Sequence, residues 1–222
     1  MNHYQILSRL LLYPEPELIA HLPELDAALA AMPEQHALMY PSLRPLLAHL
    51  ESSSLIDLQQ QYVATFDRNP SHSLHLFEHI HGESRDRGQA MVDLMEEYKR
   101  HGLQMTGDDL PDFVPLFLEF LAQLDEAASA PLLGDAVHVL AHIGRKLTVN
   151  GSPYAPVFTV LELLSPVAAE MLAEPPIRDM DEALETFGPG ADGVEPLLRQ
   201  GLGQAPGGVH PVHFHPQPRR AA

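Results

Sequence analysis

A chain of 222 residues with a formal charge of -17 and no cysteine is long enough for one domain that buries about 70% of its unfolded surface. The missing cysteines exclude disulfides, thiolate metal sites and cysteine nucleophiles, and the acidic balance repels phosphate backbones and anionic lipid, so a nucleic-acid or membrane-surface role is set aside in favour of a basic partner. The N-terminus has no basic stretch ahead of an apolar run, and no apolar segment approaches the ~18 residues needed to span a bilayer, so a soluble, cytoplasmic protein is expected.

Leucine and alanine dominate, and no run alternates apolar and polar residues for long enough to make a strand, so the fold class is all-α. In chain order, helices are expected over Asn2 to Leu12, Glu15 to Ala31 with a break at Pro23, Pro41 to Glu51, and Ser54 to Phe66. They continue over Arg85 to His101, Asp109 to Ala127, Pro131 to Asn150, Ala155 to Leu164 and Pro166 to Ala173. Ser54 and Ser84 are the N-caps that the pattern predicts, and His101-Gly102 and Asn150-Gly151 are the stops. The Asp109 helix is apolar on nearly every side and is expected at the centre of a bundle. Pro115 within it demands either a kink or a later start. From residue 201 glycine, proline and histidine replace leucine, which divides the chain into a helical domain, 1–200, and a disordered tail, 201–222.

The stretch from Tyr62 to Leu94 carries four histidines, His72, His75, His79 and His81, around a short apolar strip. His75-Leu-Phe-Glu78-His79 spells H-x-x-E-H, the zinc signature of one metallopeptidase class, in which Glu78 would be the base that deprotonates bound water. On a helix, His72, His75 and His79 would share a face. The third ligand such a site needs has only unremarkable candidates, Glu119 and Glu162. The competing readings are a structural strip with locally bonded histidines, and a recognition surface in which Phe77 gives apolar contact and Glu78 meets a cation. Ser84-Arg-Asp-Arg-Gly88 reads as a helix start, with Arg85 and Arg87 facing neighbouring acids; Asp67, Asp93, Glu96 and Glu97 are the partners considered. No serine elbow, phosphate loop or dinucleotide fingerprint is present.

Several segments together resemble the NarJ family, assembly chaperones of respiratory nitrate reductase within the wider TorD-like group. They are Tyr62-x-x-x-Phe66-Asp67, Ser73 to His79, His81-Gly82, Ser84 to Leu94, and Leu110-Pro-Asp-Phe-Val-Pro-Leu-Phe-Leu-Glu-Phe-Leu121. The likeness is specific from Tyr62 to Leu124 and collinear from Tyr4 to about Leu172. It implies an all-helical, cytoplasmic, non-catalytic protein with no cofactor or metal of its own. The implied partner is the nitrate reductase α subunit, bound at its N-terminal segment and held open for molybdenum cofactor and iron–sulfur insertion before membrane docking. Proteins that deliver the cofactor are further implied partners. The wider group often has E-P-D-H where this chain has Leu110-Pro111-Asp112-Phe113, so roles tied to that glutamate and histidine, including any nucleotide contact, do not carry over.

For a basic amphipathic target, the candidate peptide-binding residues are Tyr62, Phe66, Leu74, Phe77 and Phe113 for apolar contact, Asp67, Glu78 and Asp112 for cations, and His79 within the same strip. The histidine density also raises the expectation that affinity varies with pH near neutrality. The alternatives kept beside this reading are a zinc-dependent hydrolase using His75, Glu78 and His79, and a helical adaptor for another basic peptide.

Overall fold

Helix starts in this protein are written by side chains that take up the first free amides. In the computed structural model, which describes residues 2–33, 36–82 and 84–172, Asn2 accepts from the Gln5 amide at 3.0 Å while the Gln5 side chain accepts from the Asn2 amide at 2.9 Å, a reciprocal cap. It opens α1, His3–Leu10. Two short helices follow, α2, Pro16–Ala20, and α3, Leu22–Ala30. The expected break is therefore real, though it falls at His21 and leaves Pro23 in the first turn of α3, where a missing amide is harmless. Next comes α4, Met39–Ser52. Ser54 caps α5, Leu55–Tyr62, as expected, but the last turn is wider: Val63–Asp67 forms a π turn closed by Arg68 N to Val63 O at 3.0 Å.

After a 3₁₀ turn at Pro70–His72 come α6, Glu78–His81, and the Ser84-capped α7, Arg85–Arg100. Among the described residues the expected all-α class holds, with one isolated backbone bridge, His75 to Phe113, in place of any strand. The Asp109 helix does not start where it was expected. Helix α8 covers only Val114–Leu121, so Pro115 falls in its first turn and no kink is needed. It also ends early, because Asp125 accepts from the Ala128 amide at 2.9 Å and opens α9, Glu126–Val149. Pro131 thus lies inside a helix it was expected to begin; it sits on an exposed face, where water can take up the carbonyl it leaves unbonded. Helix α10, Ala155–Leu164, ends the helical part of the described chain, and residues 165–172 form no helix. The expected domain end at residue 200 and the tail 201–222 lie outside the described residues.

Packing is set by a few pairs. Ser8 Oγ donates to the Pro115 carbonyl at 2.9 Å and Asn2 Nδ2 to the Ala122 carbonyl at 2.8 Å, so α1 runs antiparallel along α8. Helix α10 lies along α9 and also meets α4, which in turn carries α3. Leucines dominate the core, with Leu43, Leu47, Leu118, Leu121, Leu140 and Leu147 fully buried. As expected, α8 is sunk into it, burying Val114, Pro115, Phe117, Leu118, Phe120 and Leu121.

The α9–α10 crossing depends on the absence of a side chain at Gly144, where an added Cβ would come within 2.7 Å of Phe158 Cβ. Gly144→Ala should force these helices apart and lower stability by about 1–3 kcal/mol, read as a lower urea midpoint; an unchanged midpoint would contradict the close crossing.

Candidate functional site

The strip from Ser73 to His81 is held to the approach of α8 by one buried carboxylate. The Asp112 side chain is 0% exposed. One of its oxygens accepts from the Phe77 amide at 3.0 Å and the other from His75 Nδ1 at 3.3 Å. Its own carbonyl accepts from the Leu76 amide at 3.0 Å, and the Val114 amide donates to the Leu74 carbonyl at 2.8 Å. Leu74–Phe77 and Asp112–Val114 therefore lie side by side through the one antiparallel bridge, His75 to Phe113, as a ladder of two backbone bonds. The same geometry explains why Leu110–Phe113 is not helical: the Asp112 carbonyl is taken by the Leu76 amide, Tyr98 Oη donates to the Pro111 carbonyl at 2.6 Å, and the Phe113 amide closes only a tight turn onto the Leu110 carbonyl at 3.1 Å. Burial alone would raise the Asp112 pKa, but the hydrogen bonds from His75 and the Phe77 amide, with the charges of His75 and Arg87, hold it below its ordinary value.

The histidines are bonded into the framework. His72 is buried, with Nδ1 donating to the Thr65 carbonyl at 3.0 Å and Nε2 accepting from the Asn150 amide group at 2.8 Å, a pairing that suits the neutral ring. His79 Nε2 donates to the Ser73 carbonyl at 2.9 Å, and its ring stands edge-on to His142 at 5.8 Å. Burial pushes the pKa of both His72 and His79 down. These two therefore favour the neutral form near pH 7, which takes two of the four rings out of the expected pH dependence of affinity.

The H-x-x-E-H strip does not form a zinc face. Only Glu78–His81 is helical, so His75 and His79 are not one helical turn apart on a common face, and Glu78 is engaged by Arg87 at 2.8 Å. Among the described residues no three His, Asp or Glu side chains converge as metal ligands would. Of the two arginines expected to face acids, Arg87 finds Glu78, which was not among the acids considered for it.

The candidate peptide contacts divide into two groups. Tyr62, Phe66 and Leu74 are buried. Tyr62 Oη donates to the Leu11 carbonyl at 2.9 Å, and its ring lies 4.9 Å from Phe66, which in turn meets Tyr154 edge-on at 5.0 Å. The π turn directs Phe66 into this aromatic cluster and leaves Asp67 exposed. Phe77, Glu78, His79 and Phe113 are half-buried, with the His75 and Phe113 rings 5.4 Å apart. Two apolar neighbours absent from the sequence-based set stand further out, Ile80 at 52% and Leu110 at 41% exposure. In sequence Ile80 adjoins Phe77 to His79 and Leu110 adjoins Pro111-Asp112-Phe113, and an apolar residue next to segments already singled out is the signal that would have included them.

A bundle of helices whose candidate site is a hydrogen-bonded ladder with an apolar edge, and no aligned nucleophile, base or metal set among the described residues, has the make of a binding protein. The comparison with known sequences agrees. The chain belongs to the family described as nitrate reductase delta subunit, whose profile it matches over residues 22–160. It is 42% identical over 189 residues to the nitrate reductase molybdenum cofactor assembly chaperone NarJ of Escherichia coli strain K12, covering 81% of this chain and 79% of that one. It is also 41% identical over 121 residues to the probable assembly chaperone NarW of the same strain, 54% of this chain and 52% of the relative. With the probable NarJ of Bacillus subtilis strain 168 it shares 30% identity over 162 residues, 71% and 85% of the two chains. This is a family of assembly chaperones, not of enzymes, and the hydrolase reading of H-x-x-E-H is overturned by it as well as by the geometry.

Two outcomes follow from the ladder and its histidines. Asp112→Asn keeps the shape but turns an acceptor-only group into one that presents N–H to a donor, and should cost about 1–3 kcal/mol in urea denaturation at pH 7. The second concerns acid. In the folded state the pKa values of His72 and His79 are lowered from 6.5, and burial followed by the charge of His36 takes His3 down to about 4. The unfolded chain therefore binds more protons once pH drops below 6.5, so these groups give stability that is fully present above 6.5 and is lost, for His3, by about pH 4. Between pH 7 and 5 the urea midpoint of the His3→Gln variant should fall less than that of the unaltered protein; equal falls would show that the half-buried imidazole contributes nothing.

Proposed function

We propose that this protein is a chaperone for the assembly of respiratory nitrate reductase and acts in the cytoplasm. It holds the catalytic α subunit in a state that accepts the molybdenum cofactor, and releases it before the enzyme works. The observation that carries this reading is the 42% identity to an assembly chaperone of that enzyme across 81% of the chain. Among the described residues no helix is long and apolar enough to cross a membrane, which is compatible with the proposed location.

The finer reading is that the chaperone grips the N-terminal segment of the α subunit and keeps the apoenzyme open for iron–sulfur insertion as well, before membrane docking. An amphipathic basic segment suits the apolar edge of the ladder, where Phe77 and Phe113 are half-buried and Ile80 and Leu110 stand exposed. Asp67, exposed beside the π turn, and Glu78, already shared with Arg87, offer carboxylates to its cations. His79, through its bond to the Ser73 carbonyl, helps to hold the strip that carries the edge. Tyr62, Phe66, Leu74 and Asp112 act under this reading as the framework that positions the edge, since all four are buried.

Titration calorimetry with a peptide copied from the N-terminus of the α subunit tests the proposal. Binding that weakens about 10-fold in Phe77→Ala, the effect of one truncated apolar anchor, and that falls with added salt, is expected. No binding at any salt concentration would sink it.

A further inference from the structure

Three neighbouring cavities on the surface of α1 and α8 share no residue with the ladder. The first, about 370 Å³, lies beyond the end of α1 over a floor of Leu12, Tyr13, Leu18 and Leu25, with Glu15, Glu17 and Glu24 in its wall. The second, about 280 Å³, is polar and lined by Gln5, Arg9, Glu119 and Gln123. The third, about 380 Å³, opens under the loop that follows α7, with Leu103, Met105, Leu116 and Phe120 as apolar lining and Asp109 at its edge. Arg9 lines both the first and the second, and Glu119 and Gln123 line both the second and the third. The three therefore adjoin in a row, a trough that passes over two adjacent helices. Each helix is about 10–12 Å across with its side chains, so a path over both is roughly 20 Å long, enough for some six extended residues or almost four helical turns.

The chemistry of this trough is apolar at both ends, polar in the middle and acidic along the rim. Glu15, Glu17, Glu24 and Asp109 are exposed carboxylates, and Tyr13 keeps 38% of its surface in water. Against them stand His21, which lies 3.4 Å from Glu24, and Arg9, which has no ion pair among the described residues. Apolar floors left to solvent beneath a rim in which carboxylates outnumber cations mark a docking surface for a positively charged partner. The same rim repels phosphate, and a second copy of this chain would bring another -17 of charge to it.

We propose that this trough is a second docking surface, for one basic amphipathic protein segment. Two apolar anchors of the segment seat in the end cavities, its cations meet Glu15, Glu17, Glu24 and Asp109, and its polar middle passes Arg9. The assignment does not depend on which protein supplies the segment, nor on the ladder binding anything. If a single client offers a segment to each surface, the two attachments reinforce one another through effective concentration without any new contact.

The test uses the full chain and a fluorescently labelled helical peptide of leucine and lysine with one apolar face, read by anisotropy at low salt and by amide hydrogen exchange. Protection is expected over residues 9–25 and 103–123. Affinity should fall at least 10-fold both in the triple variant Glu15→Gln, Glu17→Gln, Glu24→Gln and in Met105→Asp. The control Asp135→Asn, Glu162→Gln, Glu170→Gln, an equal charge change at exposed positions elsewhere, should bind as the unaltered protein does. Circular dichroism checks that each variant is folded, and the exposed glutamate changes leave the core untouched. The proposal is overturned by failure of the peptide to bind, by protection confined to residues 74–81, or by equal loss of affinity in the control. A homodimer in sedimentation that the Glu15, Glu17, Glu24 variant dissociates would overturn it too, by assigning the trough to a second copy.

Discussion

The Asp112 carboxylate ties together parts of the chain that local preference would leave separate. A carboxylate removed from water is costly unless every strong acceptor site it presents is used. Here one oxygen takes the Phe77 amide and the other takes His75, while the same residue's carbonyl takes the Leu76 amide. Three hydrogen bonds at one residue fix the path of Leu74–Phe77 and hold Leu110–Phe113 out of the helix that its composition would extend. Where α8 begins, how deep Phe113 sits and how far Ile80 projects all depend on that arrangement.

The histidines show how a dense polar segment serves a fold without serving chemistry. His72 spans the Thr65 carbonyl and Asn150, His79 closes on the Ser73 carbonyl, and His75 completes the shell of Asp112. The groups they satisfy lie in the π turn, at Ser73, just past the end of α9 and ahead of α8, places where regular helix bonding is interrupted. The energetic consequence is a preference for neutral rings at His72 and His79, so acid acts on the stability of the framework.

For a protein that must hold a partner and let it go, the placement of stability matters as much as its amount. The leucine core, the α9–α10 crossing at Gly144 and the antiparallel α1–α8 pair form a firm body. The exposed apolar side chains of the two candidate surfaces, Ile80, Leu110 and Tyr13, lie on short or irregular elements around it. Segments with few buried contacts are those that can adjust to a bound chain at least free-energy expense.

The sequence by itself determined the helical class, because leucine and alanine recur with helical spacing and no alternating run exists. It determined the caps at Ser54 and Ser84 and the positive-φ glycines at the ends of α7 and α9, because those are short-range effects of a side chain or its absence. The family was also legible, from motifs between Tyr62 and Leu124. Tertiary structure alone decided that Asp112 is a buried anchor and not a surface carboxylate, that Glu78 belongs to Arg87, and that Tyr62 and Phe66 face inward. Each depends on a partner in another element or on the extra residue of the π turn, and periodicity carries no information about either. The same holds for the start of α8: the composition from Asp109 favours a helix, and only the pairing with Leu74–Phe77 supplies the bonds that pull Leu110–Phe113 away from it.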